Sequence, residues 1–240
     1  MASANRRMRL SPQLVALCHR EVAEPEPDPR YDYFTEKDYA RETGRLLAER
    51  PEGPLWIFAY GSLIWKPEFA AVETRPAVAH GWHRTFSMKI GSYRGTAEQP
   101  GYMMCLDHGG RCEGTVLELV ETDVEEHIGR LLFREIGSDE AMESVRWIDV
   151  ETPEGGLTAL TFYAYPHRLD FYEKKPSIEQ VANALAKACG HWGSGAEYLY
   201  NTVLHLEELG IHDEELWALQ ELVASEIEAL HGLEAAVTEE

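Results

Sequence analysis

Apolar residues first gather in an unbroken run at Leu55-Trp56-Ile57-Phe58-Ala59-Tyr60, which Gly61-Ser62 ends at once. A short apolar run closed by turn residues predicts a buried strand that opens into a tight loop. Shorter apolar stretches between turn signals predict further strands at residues 85–90, 102–106, 112–119, 145–150 and 157–163. The spacing turns helical between residues 123 and 136, where Val124, Ile128, Leu131 and Leu132 share one face. Thr122, followed three positions on by Glu125, predicts a capping box at its start, and Gly137 predicts its stop. Other helices are predicted over residues 36–50, from Ser177 with Gln180 as its cap, over residues 196–209, and along the stripe Leu216, Leu219, Leu222, Val223, Ile227 and Leu230. One strong helix among many strands is not a regular strand–helix alternation. The expected class is α+β: a curled mixed or antiparallel sheet, or a small barrel, with packed helices and a helical C-terminal region. Residues 1–54 read as an N-terminal arm and short helix, the acidic, Pro-bearing stretch from Glu24 to Pro29 lying extended over the surface. Residues 55–240 read as the folded domain, C-terminal helices included.

Charge narrows the range of partners. The chain carries 22 basic and 42 acidic residues, a formal charge of −20, which repels phosphate backbones and anionic lipid; neither nucleic acid nor membrane is expected as a partner. No apolar run approaches the roughly 20 residues needed to cross a bilayer, and the start, with Arg6, Arg7 and Arg9, lacks the apolar stretch of a secretory signal. A cytoplasmic protein is expected, an organelle transit peptide being the weaker alternative. Cys18, Cys105, Cys112 and Cys189 form no metal-binding spacing. A hairpin turning at Asp107-His108-Gly109-Gly110 would set Cys105 opposite Cys112, either as a redox switch or as two half-buried strand residues.

Two features carry candidate chemistry. Continued at 100° per residue, the apolar stripe of the 123–136 helix brings Glu135 near its centre, so the helix is expected to turn a carboxylate toward the core. Burial raises a carboxylate's pKa, as a general base working near pH 7 requires; a salt bridge to Arg134 or Arg146, or a frayed helix end, is the structural alternative. The second feature is the strand end Phe58-Ala59-Tyr60-Gly61-Ser62-Leu63-Ile64-Trp65, whose sharp turn exposes successive amides suited to a carboxylate or a developing oxyanion. Ser62 lacks the second glycine of a nucleophile elbow. His80 and His83, three apart on a strand, point to opposite faces and are read as structural, and Gly193-Ser194-Gly195 is read as a turn feeding a helix.

Several segments, in order, resemble the ChaC-type γ-glutamylcyclotransferases, the glutathione-specific family: residues 56–65, Gly81-Trp82-His83-Arg84, Arg94-Gly95-Thr96, Gln99-Pro100-Gly101, Arg134-Glu135 and Glu197-Tyr198-Leu199. The resemblance implies a small α+β fold on a curled sheet and an enzyme that folds a γ-glutamyl group into 5-oxoproline, with glutathione as small-molecule substrate. It implies Glu135 as the catalytic acid–base and Ile57, Phe58, Ala59, Tyr60, Gly61, Ser62, Leu63, Arg94 and Tyr198 as substrate-binding residues. It calls for no cofactor and no metal, and the protein is expected as a monomer or weak dimer. Ala59, where many relatives have glycine, and Gly195, where many have asparagine, are departures that bear on selectivity. Arg84, Arg94 and Arg134 are candidates for the positive patch an anionic substrate needs. The alternatives are a cyclotransferase acting on γ-glutamyl amines or γ-glutamyl amino acids, a non-catalytic binding module on the same fold, and a Ser62 hydrolase releasing glutamate.

Overall fold

The computed structural model describes residues 7–29, 31–164 and 172–233. In chain order its elements are α1 (Pro12–Leu17), α2 (Glu36–Glu49), β1 (Trp56–Ala59), α3 (Ser62–Trp65), β2 (Ala71–Ile90), β3 (Gly101–Leu119), α4 (Val124–Glu135), β4 (Val145–Thr152), β5 (Gly155–Phe162), α5 (Ile178–Lys187), β6 (Cys189–Gly190), β7 (Gly193–Ser194), α6 (Gly195–Glu208) and α7 (Glu214–His231). The chain divides into two compact units: residues 26–85 with 105–168, and residues 1–25 with 86–104 and 169–240. That division differs from the boundary expected at residue 54, because the first 25 residues go with the C-terminal helices.

The first unit is built on a closed barrel of order β1-β3-β2-β4-β5. β1 runs antiparallel to β3, with Ala59 opposite Thr115, and parallel to β5 at Ile57 and Leu160. β4 and β5 form a hairpin registered from Val145–Phe162 to Thr152–Gly155, and its tight turn uses Gly155 at φ +127. Strand alternation sorts the apolar residues into two clusters. Trp56 and Phe58 join Ala77, Ala79, Trp82, Leu106, Val116, Ile148, Val150 and Ala159, a set drawn from all five strands that fills the lumen. Ile57 and Ala59 face the other way, joining Leu117, Leu119 and Leu160 under Leu46 of α2 and Ile128, Leu131 and Leu132 of α4. β1 and β3 come so close at Gly114 that a Cβ there would lie 2.4 Å from the Ala59 carbonyl.

Two strand expectations are corrected. Residues 102–106 and 112–119 belong to one strand, β3, and Asp107–Gly110 is a bend inside it rather than a hairpin turn, with Gly109 at φ +108 and Gly110 at φ +71. Cys105 and Cys112 therefore lie along one strand and do not face each other; the four cysteines form no disulfide. The capping box at Thr122 is not formed either: residues 121–123 make a 3₁₀ turn, and Asp123 caps α4 without a side-chain bond. His80 bonds Glu151 and His83 bonds the Gly109 carbonyl. Among the described residues no group of His, Cys, Asp or Glu is placed to hold a metal, and no helix is long and apolar enough to cross a membrane.

The second unit packs α5, α6 and α7 together, with α1 against α6 and α7. The N-terminal segment is a packed element rather than a loose arm. Leu10 is fully buried, its amide donates to Gln220 at 2.8 Å, and Ser11 caps α1. Cys18 Sγ donates to the Ala186 carbonyl and Cys189 Sγ to that of Arg20, which fastens the segment to the end of α5.

Candidate active site

β1 ends at Ala59, and the loop that follows is held by its own backbone and by two arginines. Arg84 Nη1 donates to the Tyr60 carbonyl at 3.0 Å. Arg84 is thus an anchor of the loop as well as a member of the expected positive patch. Gly61 opens the single turn α3, in which the Ile64 amide reaches the Gly61 carbonyl at 2.9 Å and the Lys66 amide the Ser62 carbonyl at 2.8 Å. Ser62 and Leu63 supply the first amides of that turn, which have no acceptor within the helix itself. The side chains of Ile57, Phe58 and Ala59 are fully buried, so what these three offer a ligand is main chain.

The second arginine is Arg134, on the last turn of α4. Its Nη2 donates to Ser62 Oγ at 2.8 Å, its Nη1 donates to the Lys66 carbonyl and pairs with Glu68 Oε1 at 3.3 Å, and its Nε lies 3.1 Å from Glu135 Oε1. With 13% of its side chain exposed, this guanidinium fastens the loop after β1 to the end of α4. Glu135 and Ser62, far apart in sequence, are partners of one cation.

Glu135 is not on the core face. α4 ends at Glu135, and Ile136 turns extended, at φ −127 and ψ 125, with its amide closing the helix on the Leu132 carbonyl. Ile136 takes the place in the core, 2% exposed among Leu131 and Leu132. Glu135 stays at the rim, its main chain exposed and its side chain 27% exposed. Its carboxyl is nevertheless pushed above the ordinary Glu range: the surrounding protein withdraws water from it, Arg134 pulls the other way, and the charge of Glu68 adds to the rise. The ion pair with Arg134 was one structural alternative for this acid, and it is present. Being shared with Glu68, it does not offset the desolvation. Arg146, the other arginine considered, stacks on Tyr163 instead.

Arg94 and Tyr198 form a cluster of their own in the second unit. Arg94 Nη1 donates to the Ser194 carbonyl at 2.9 Å and to Glu197 Oε2 at 2.8 Å, its guanidinium lies 5.4 Å from the Tyr198 ring, and Tyr198 packs edge-on against Phe86. Ser194 caps α6 through the Glu197 amide, so the Gly193-Ser194-Gly195 turn does feed a helix. Sequence reasoning did not find Glu68. Its backbone at φ +67, unusual for a residue other than glycine, marks it only once the structure is seen.

Residues 55–226 match the model of the ChaC-like protein family. Among curated proteins, the glutathione-specific γ-glutamylcyclotransferase of Escherichia coli is 36% identical over 179 residues, covering 74% of this chain and 76% of that protein. Glutathione-specific γ-glutamylcyclotransferase 1 of Rattus norvegicus is 32% identical, covering 71% and 79%. Among solved structures, a yeast γ-glutamylcyclotransferase described as specific to glutathione shares the fold with a TM-score of 0.64 at 20% identity, covering 73% of this chain and 97% of its own. A match over most of the chain, with the strand-end loop and the Arg134-Glu135 pair inside it, makes this chain a member of the ChaC-like family.

Proposed function

We propose that this protein cleaves glutathione by cyclising its γ-glutamyl group, with Glu135 as the base and then the acid. In a γ-glutamyl peptide the α-amine and the γ-carbonyl belong to one residue, so holding that residue folded turns the attack into closure of a five-membered ring. Glu135 takes a proton from the α-ammonium, and the freed amine forms the new bond to the γ-carbon. As the ring closes the attacking nitrogen gives up its second proton, the bond from that carbon to the cysteinyl nitrogen breaks, and the departing nitrogen takes up both protons, one of them returned by Glu135, to leave as an ammonium. The products are 5-oxoproline and cysteinylglycine, with no water consumed. In this reading the amides of Ser62 and Leu63, within the 57–63 stretch, hold the α-carboxylate or the developing oxyanion. Arg94 and Tyr198 are retained as substrate-binding candidates of their own unit. We place the reaction in the cytoplasm, in a monomer or weak dimer with neither nucleic acid nor membrane as partner; the charge of −20 supports the last two points.

The observation that carries the reading is Arg134, whose guanidinium bonds both the Ser62 hydroxyl and the Glu135 carboxylate, so the base stands beside the loop that would hold the substrate. The relatives named as glutathione-specific cyclotransferases support the choice of substrate. Mass spectrometry of products after incubation with glutathione, γ-Glu-Ala and a γ-glutamyl amine tests it. Cysteinylglycine with 5-oxoproline from glutathione alone is the expected result. Glutamate would point to Ser62 hydrolysis, faster turnover of another substrate would move the specificity, and three unchanged substrates would leave a binding module.

A further inference from the structure

Glu135 ends a helix, and the two residues after it are held by a segment that lies ahead of the family-matched region. The Ile136 amide closes α4 on Leu132, while the Ile136 carbonyl accepts a hydrogen bond from the Tyr39 hydroxyl at 2.9 Å. One residue on, the Gly137 carbonyl accepts from the Phe34 amide at 2.8 Å. Both donors come from the start of α2 or the stretch just before it, and the family match begins only at residue 55.

The contact is built rather than incidental. Tyr39 is half-buried, with its ring edge-on to Phe34 at 5.1 Å and tilted against Phe133 of α4 at 5.5 Å. Phe133 is 74% exposed, so the aromatic side of α4 next to Glu135 has Tyr39 as its partner at one edge and solvent at the other. Deeper along the same pair of helices, α2 buries Thr43 and Leu46, and Thr43 faces Gly129 of α4. At the outer edge Arg41 reaches Asp139, beyond Gly137, at 2.8 Å.

We propose that α2 and the residues leading into it are a brace for the catalytic base, and that Tyr39 is a positioning residue which fixes where Glu135 stands by holding the carbonyl of the next residue. This deepens the proposed function and rests on it. A residue at a helix end frays unless its last groups are satisfied. Here the peptide following Glu135 is held through its amide by the helix and through its carbonyl by Tyr39, so the base cannot swing away from Arg134 and the 57–63 loop. The charged groups facing this corner are Arg134 and Glu68 on the Glu135 side, and Asp38, Arg41, Glu42 and Asp139 on the brace side.

Tyr39→Phe keeps the ring packing and removes the hydroxyl bond to the Ile136 carbonyl. The expected result is a kcat about tenfold lower with KM within about twofold, because misplacing a reacting group costs turnover more than ground-state binding. The acid limb of the pH–rate profile should also move to lower pH, since a loosened Glu135 regains water. A folded Tyr39→Phe protein with wild-type kcat and pH profile overturns the inference, and so does a lower kcat with an unmoved acid limb, which marks mere loss of stability. Tyr39→Leu, losing ring and hydroxyl together, is expected to fall further in kcat; if it matches wild type, the brace is excluded by a second route. Glu135→Gln, run alongside, separates the two ideas. An inactive Glu135→Gln beside an unaffected Tyr39→Phe removes only the brace, whereas an active Glu135→Gln removes the base and the brace with it.

Discussion

Asp38 and Glu135 stand at opposite ends of two helices that pack on each other, and their side chains keep the same fraction of surface open to solvent, 27%. Their chemistry diverges. Asp38, in the first turn of α2, accepts from the Thr35 amide at 2.9 Å and from its hydroxyl at 2.6 Å, and pairs with Arg41; these donors hold its carboxyl down at about 2. Glu135, on the last turn of α4, faces the carbonyl end of a helix and shares Arg134 with Glu68, and its carboxyl is held above the usual range by loss of water. Equal exposed area therefore does not mean equal solvation. What decides the charge is the mass of protein beyond the first contacts and the number of donors aimed at the oxygens. One acid is fitted to stay ionised and hold a helix together, the other to change its protonation.

Glu135→Gln breaks that contrast most severely. Turnover of glutathione should fall by at least about 10²-fold, the usual share of a positioned acid–base, with KM little changed. Stability should move the opposite way. Because the folded carboxyl titrates above its unfolded value, the native protein holds more protons than the unfolded chain between those two pH values. The wild type therefore loses stability as pH rises through the folded pKa. The glutamine variant has no such loss, so in calorimetry it should melt at or above wild type at pH 8, with the advantage gone near pH 4. An inactive variant that also melts well below wild type at pH 8 would make Glu135 a structural acid.

Much of this frame was legible from residue pattern alone. The unbroken apolar run at 55–60 became β1 because both its faces are buried, one in the lumen and one under α4, which is what a run without alternation encodes. α4 and α7 follow from apolar spacing, and they, α2 and α6 lie within a residue or two of where the sequence places them. The Asp107–Gly110 bend was misread because two glycines in a row look the same in a turn and in a strand. In the fold β3 runs through them from Gly101 to Leu119, and the His83 ring bonds the Gly109 carbonyl. The apolar period, extended to the last residue of the helix, points Glu135 at the core, whereas the extended conformation of Ile136 just after the helix hands that place to the next side chain. The role of Arg134 was hidden for another reason. Its partners Ser62, Lys66 and Glu68 lie close to seventy positions away in sequence, and no periodicity reports a contact of that range.

Glu68→Gln sharpens the comparison by changing the environment of Glu135 without touching it. The charge of Glu68 works to raise the Glu135 carboxyl and also draws on Arg134. Removing that charge leaves Glu135 as the carboxylate that the guanidinium pairs with, beside its bonds to Ser62 and the Lys66 carbonyl, so the base should ionise more readily and the acid limb of kcat/KM should move to lower pH. A weaker base takes the substrate proton less eagerly, and the plateau rate should fall by a few-fold at most. An acid limb that stays in place or moves upward would show that Glu68 does not act on the base. High salt should narrow the difference between variant and wild type, because Glu68 keeps 38% of its side chain open to solvent.

Asp38→Asn carries the smallest expected effect, and it tests the other half of the contrast. Asparagine keeps an oxygen for the Thr35 amide but loses the charge that Arg41 pairs with, at a site open enough for water and salt to take up much of the difference. The melting temperature should drop by no more than a few degrees at neutral pH. The folded carboxyl titrates below its unfolded value, so the stability it contributes is present above the ordinary Asp range and is lost as pH falls toward about 2. The gap between variant and wild type should therefore close on acidification, opposite in sign to the Glu135→Gln series. Turnover should stay at the wild-type level, because Asp38 holds the start of α2 and the brace on Glu135 runs through the neighbouring Tyr39 hydroxyl. If Asp38→Asn instead lowered kcat as far as Tyr39→Phe, the two helix ends would be one cooperative device, and the ionised cap would have to be counted among the groups that place the base.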